Sequence, residues 1–179
     1  MKKVVCLTVV AAAVSAVGYQ FTVTSPANAQ SGTRVPQQKA GPIEVRFWDW
    51  LVHSNYRHWA PGPGQHHDKF FPGDAPHGAL LKLYCNRAAA ANPKDMPPGS
   101  VIVKENFSED KKLMAVTVMY RSKGYDPEHN DWWWAKYSPD GTVAKAPKEK
   151  GGMKLAGKVK GCINCHSDAD GKDFAFLND

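Results

Sequence analysis

The chain reads as an α+β protein, an antiparallel β-sheet with a few helices packed against it. Three runs of residues predict this. Positions 100–107 alternate apolar and polar side chains with period two, 113–121 is rich in Val, Thr, Met and Tyr after a short charged turn, and 132–137 is a third, aromatic-rich run. Between 43 and 59, by contrast, Ile43, Phe47, Trp50, Leu51 and Tyr56 recur at roughly helical spacing. Strands joined by short turns pair antiparallel, and an amphipathic helix buries its apolar stripe against such a sheet.

The first element in chain order is a leader. Lys2-Lys3, an apolar stretch over 4–17 and the small-residue exit Ala27-Asn28-Ala29 make residues 1–29 a secretory signal peptide, cut before Gln30. The stretch falls short of the about 20 apolar residues that span a bilayer, so the expected product is exported to the periplasm with no membrane anchor. Cys6 leaves with the leader. Residues 30–42 are polar and rich in Gly, Pro and Gln, a flexible lead-in, and the remaining 43–179 is the size of one domain with one core. Loss of the two leader lysines lowers the formal charge from +6 to +4. The excess is mixed with acids, as in Lys104-Glu105 and Glu109-Asp110-Lys111-Lys112, which excludes a nucleic-acid stripe and suits at most the steering of an acidic redox partner.

The helix of 43–59, with Asp49, His53, Asn55 and Arg57 on its wetter side, ends at Pro61-Gly62-Pro63-Gly64, and the stretch to Pro76 is a long loop. Residues 79–85 form a strand that passes into a short helix stopped by Asn92-Pro93. After the turn Pro97-Pro98-Gly99, alternation sends Val101, Val103 and Phe107 to one face and Ile102, Lys104 and Asn106 to the other. The partner strand 113–121 follows, then the loop Gly124-Tyr125-Asp126-Pro127 and the strand 132–137, in which the three tryptophans alternate faces. The turn Ser138-Pro139-Asp140-Gly141 leads on to Thr142-Val143. Residues 144–161, rich in Lys, Gly and Pro, read as an extended connector that delivers Cys162 to the sheet.

Three cysteines remain after export, Cys85, Cys162 and Cys165, and an odd count in an oxidising compartment argues against a disulfide scaffold. Cys162-Ile163-Asn164-Cys165-His166 matches the C-x-x-C-H haem-attachment pattern in full. Its spacing has a chemical reason: each thiol adds to one haem vinyl group, and the adjacent His places its imidazole on the iron from the same side. A thioredoxin-like motif would stand in a β-α-β context, which the sequence lacks. A zinc site would need two more ligands at short spacing, and only distant histidines are on offer. The expected cofactor is therefore one covalently attached haem c, its iron bound by His166. Only 13 residues follow His166 and none is Met or His, so any distal ligand comes from upstream. His77 is a candidate polar group near the haem. Met119 reads as core, and Met153 or His77 would serve as axial ligand to a six-coordinate iron. Cys85 reads as a buried strand thiol.

The run Pro98-Gly99-Ser100-Val101-Ile102-Val103-Lys104-Glu105, the strand end Val118-Met119-Tyr120, the segment Asp131-Trp132-Trp133-Trp134 and the late Cys162–His166 motif followed by Asp173-Phe174-Ala175-Phe176 resemble the cytochrome P-460 family and its relative cytochrome c′-beta. The resemblance covers roughly 77–179, and 43–76 carries no matching motif. It implies a five-coordinate haem on an antiparallel sheet in a periplasmic homodimer. In the P-460 members a lysine is bonded to the haem rim and the enzyme oxidises hydroxylamine; Lys104 matches that lysine by its place in Val-Lys-Glu. A distal carboxylate would accept protons, and Asp131 and Glu128 lie in the loop where the family places it. The partners so implied are a small nitrogen compound or gas ligand and a soluble redox partner. In the cytochrome c′-beta alternative the lysine is not bonded to haem, the distal pocket is apolar, and the protein binds gas or carries electrons.

Overall fold

The computed structural model describes residues 41–178, so the leader 1–29 and nearly all of the lead-in 30–42 lie outside the described residues. In chain order the elements are α1 (Ile43–His53), β1 (Ala60–Pro61), β2 (Phe71–Pro72), β3 (Leu80–Cys85), α2 (Arg87–Ala91), β4 (Val101–Phe107), β5 (Leu113–Arg121), β6 (Trp132–Tyr137), β7 (Ala156–Gly157) and α3 (Lys160–His166). The seven strands form one antiparallel sheet in the order β1-β3-β4-β5-β6-β7, with the two-residue β2 also paired to β3. The α+β architecture is the one the alternating runs predict. Among the described residues no helix is long and apolar enough to cross a membrane.

Period-two alternation divides the core into two layers. On one face Val101 and Val103 of β4, Val116 and Val118 of β5, and Trp133 and Tyr137 of β6 are buried together. α1 closes this layer with a fully buried Leu51, and its Phe47 ring lies 5.0 Å from Trp133 and 5.4 Å from Tyr120. On the other face Ile102, Met119, Trp132 and Trp134 pack with Ile163 of α3 and Met96 beyond α2. Asn86 caps α2 by accepting from the Ala89 N–H, and the same oxygen accepts from Val101, which ties the helix to the start of β4.

Three departures from the sequence reading have physical causes. The helix expected over 43–59 stops at His53, because Asn55 turns into the left-handed region (φ 51°) and a separate 3-10 turn, Tyr56–His58, follows. Asn is among the few residues that enter this region at low cost. Phe107 does not join the Val101 layer: the register with β5 shifts between Asn106 and Phe107, and the Phe107 ring packs edge-on against Phe70 at 5.0 Å. The stretch 144–161 is not simply extended, since Lys145 bridges to Lys154 and β7 adds to the sheet beside β6.

Candidate functional site

α3 puts its chemistry on one side. Cys162, Cys165 and His166 stand three and four positions apart, one helical turn, and all three line a cavity of about 550 Å³, within the about 300–1,000 Å³ typical of cofactor pockets. Ile163, on another face, is buried in the core and fixes the helix against the sheet. The floor follows from strand register. Ile102, Met119 and Trp134 make one row across β4, β5 and β6, and Lys104, Thr117 and Lys136 make the next. Lys104 therefore stands beside Ile102 and Asn106, as alternation predicts.

His166 is 8% exposed and held on several sides. Its ring lies 4.7 Å from Trp134 and 5.1 Å from Phe176. Its Nδ1 is 2.8 Å from the Phe174 carbonyl, which can only accept, so Nδ1 carries the proton and Nε2 keeps its lone pair for a metal. Phe174 has φ 64°, a costly conformation for a bulky residue, and from it presents this carbonyl. The tail is pinned by Trp132 Nε1, which donates to the Asp173 carbonyl at 2.7 Å. Burial lowers the His166 pKa, against the opposing bond to Phe174, so the ring is held in its neutral, ligating form.

Burial also shapes the other groups. It pushes the Cys162 thiol pKa up, the opposite of the lowered value that a thioredoxin-type attacking thiol requires. It pulls the Lys104 ammonium down, opposed by nearby Cys165, and among the described residues that ammonium makes no hydrogen bond or ion pair. His77, on the cavity wall, falls to about 4 through burial and the positive charge of Lys104. Its Nδ1 is 3.0 Å from Asn106 Oδ1. Trp134 Nε1 is buried with no partner among the described residues. Lys136 and Lys160 also line the cavity, and among the described residues no Asp or Glu does.

Asp131 and Glu128 are thus placed away from the cavity. Asp131 braces its own loop, accepting from the Gly124 and Asp126 N–H groups, and Glu128 is exposed. The buried acid of that loop is Asp126, which takes Lys158 Nζ and His129 Nδ1, each at 2.9 Å. Met119 is core, as expected, and also part of the floor, whereas Met153 is 64% exposed at the rim. Cys85 is a buried strand thiol whose pKa rises to about 11 by desolvation. Sequence reasoning did not find Asn106 and Lys136 as site residues. Alternation places both on the cavity face, and that was the signal available.

The family model for Cytochrome P460 matches residues 53–177, and the chain belongs to that family. The match reaches back through the 53–76 segment, where no motif is readable by eye. No curated protein matches this chain. Membership makes the protein a haem-binding cytochrome, and the residues fit that group. A largely apolar cavity of cofactor size brings together two thiols, a neutral imidazole with a free Nε2 and a partnerless indole N–H.

Proposed function

We propose that this member of the cytochrome P460 family is a periplasmic mono-haem c-type cytochrome whose iron takes a small nitrogen compound, hydroxylamine or nitric oxide. The observation that carries this reading is the convergence of Cys162, Cys165, His166 and Lys104 on one cavity. Cys162 and Cys165 would hold the haem by thioether bonds and His166 would bind iron through Nε2. His166 would then be the iron's one protein ligand when the small ligand binds, the five-coordinate haem that the resemblance to the P-460 and c′-beta proteins implies. The haem, when bound, supplies an electron acceptor that passes charge on to a soluble redox partner. Phe174 fixes the tautomer and rotation of His166. The floor row Ile102, Met119 and Trp134 would give the haem an apolar bed, and Lys104, on the next row of the same cavity, would bond the haem rim. A homodimer belongs to the same reading by resemblance.

One observation favours a second reading, gas binding or electron transfer without hydroxylamine oxidation: among the described residues no carboxylate lines the cavity to act as proton acceptor. Lys104 separates the two. In the oxidase reading the intact mass of the holoprotein falls short of chain plus haem by the hydrogens lost to a Lys104 bond, and the ferrous band moves far to the red. Lys104→Met abolishes both signatures and the activity. A full-sum mass with an ordinary c-type spectrum selects the second reading. Cys162→Ala with Cys165→Ala should release the haem on a denaturing gel in either case, and retained haem staining would remove both.

A further inference from the structure

Two imidazoles face the same cavity, and their tautomers are fixed in the same way. Asn106 is 2% exposed, and its Nδ2 donates to the Lys104 carbonyl at 2.9 Å, the Ala115 carbonyl at 3.2 Å and Thr117 Oγ1 at 3.2 Å. The amide is therefore oriented by acceptors, and its Oδ1 must accept from His77 Nδ1. His77 thus keeps its lone pair on Nε2, as His166 does through Phe174. Metal-bound histidines are commonly prepared in this way, the second ring nitrogen donating to a fixed acceptor.

The spacing of the rings is the second observation. Their centroids are 6.3 Å apart with planes at 84°. That is more open than the 4.7 and 5.1 Å contacts His166 makes with Trp134 and Phe176. A metal–imidazole nitrogen bond is about 2.0–2.1 Å, and the nitrogen lies roughly 1 Å from its ring centre, so two imidazoles on opposite sides of one ion have centroids about 6.2 Å apart. The backbone around His77 is tightly fitted. A Cβ at Gly78 would fall 2.2 Å from the Phe107 carbonyl oxygen and one at Gly73 2.4 Å from the Gly78 carbonyl oxygen, which holds the ring's attachment point against the end of β4. Met153, the other upstream candidate, is 64% exposed and has no such support.

Resting on the haem assignment above, we propose that His77 is a second iron ligand, filling the sixth position through Nε2 in the resting protein and yielding it to an incoming small ligand. Release needs only side-chain rotation and loss of the single Asn106 bond, with the backbone staying in place. A ligand that binds only the open form then sees an affinity reduced by the fraction of open form.

The test is the spin state of the ferric holoprotein. Wild type is expected to be low-spin, with a near-infrared magnetic circular dichroism band of the two-imidazole kind. His77→Ala is expected to be high-spin, to return to low-spin with added imidazole, and to bind nitric oxide at least tenfold faster. Haem staining on a denaturing gel should be equal in both, so a loss of covalent haem would count against the assignment of the attachment site and not against His77. A high-spin wild type that His77→Ala does not change overturns the proposal. So does a low-spin signal that survives His77→Ala and disappears in Met153→Leu. If His77→Ala does not fold, the infrared band of the wild type alone decides between two imidazoles and any other pair.

Discussion

The two faces of the sheet solve opposite problems. Behind β4, Glu105 is 3% exposed and fully engaged: Tyr56 donates at 2.7 Å, Arg57 at 2.7 Å and Tyr84 at 3.1 Å. Burial and the Glu105 charge both raise the pKa of each tyrosine, so the hydroxyls stay protonated as donors. One residue earlier on the same strand, Lys104 faces the cavity with no partner among the described residues, and the Trp134 N–H in the same cavity has none either. A buried polar group left without partners costs stability, so a fold that satisfies one face and leaves the other open has reserved the second for something it binds.

The largest effect is expected where that contrast is sharpest. Glu105→Ala strips the acceptor from two buried hydroxyls and leaves Arg57 without its ion pair, and should cost about 3 kcal/mol in urea unfolding of the holoprotein. The absorption spectrum should not move, because Glu105 lies on the face away from the cavity. A loss under about 1 kcal/mol would mean that the filled face is held by apolar packing alone.

A smaller loss, about 1–2 kcal/mol, is expected for Asp126→Asn, since Asp126 joins Lys158, just before α3, to His129 in the β5–β6 loop. Burial raises the carboxyl pKa, but the bonds from Lys158 and His129 outweigh it and hold the value below the ordinary 3.8. A depressed native pKa means that this contribution is fully present above about pH 3.8 and is lost as pH falls through the native value. The variant should therefore lack that part of the acid limb of a stability–pH profile, and an unchanged limb would show that the cluster does not couple to folding.

Lys104→Met should show the smallest change and the opposite sign, no loss or a gain of up to about 1 kcal/mol at neutral pH, because it removes a desolvated amine that nothing compensates. The native pKa lies below the unfolded one, so wild-type stability rises with pH between those two values. The advantage of the methionine variant is therefore greatest below that window. A clear destabilisation would show that the cavity face, like the other, depends on its polar groups for folding.

This contrast also explains what could be read in advance. Alternation along 101–106 was enough to put Lys104 opposite Val101 and Val103, and the tryptophans at 132–134 divided as period two requires. Cys162, Cys165 and His166 announced themselves by spacing. What stayed hidden depends on contacts distant in sequence. Glu105 meets Tyr56 across 49 positions, so nothing near it in the chain marks it as the centre of a buried cluster. In the β5–β6 loop the sequence offers Asp126, Glu128 and Asp131 as equals, and the partners that single out Asp126 include Lys158, 32 residues on, as well as His129 beside it. The end of α1 was legible in principle from Ser54-Asn55, a pair suited to a left-handed stop, but the apolar period running on to Tyr56 and Trp59 masked it.

The claim on which the rest depends is that the open face holds a haem joined to α3. Trypsin should release residues 161–172, with both motif cysteines, as one peptide. In holoprotein from a host that matures c-type cytochromes, mass spectrometry of that peptide should find it carrying one haem, with neither Cys162 nor Cys165 open to alkylation. The same peptide recovered without haem, with both thiols alkylated, would contradict the account.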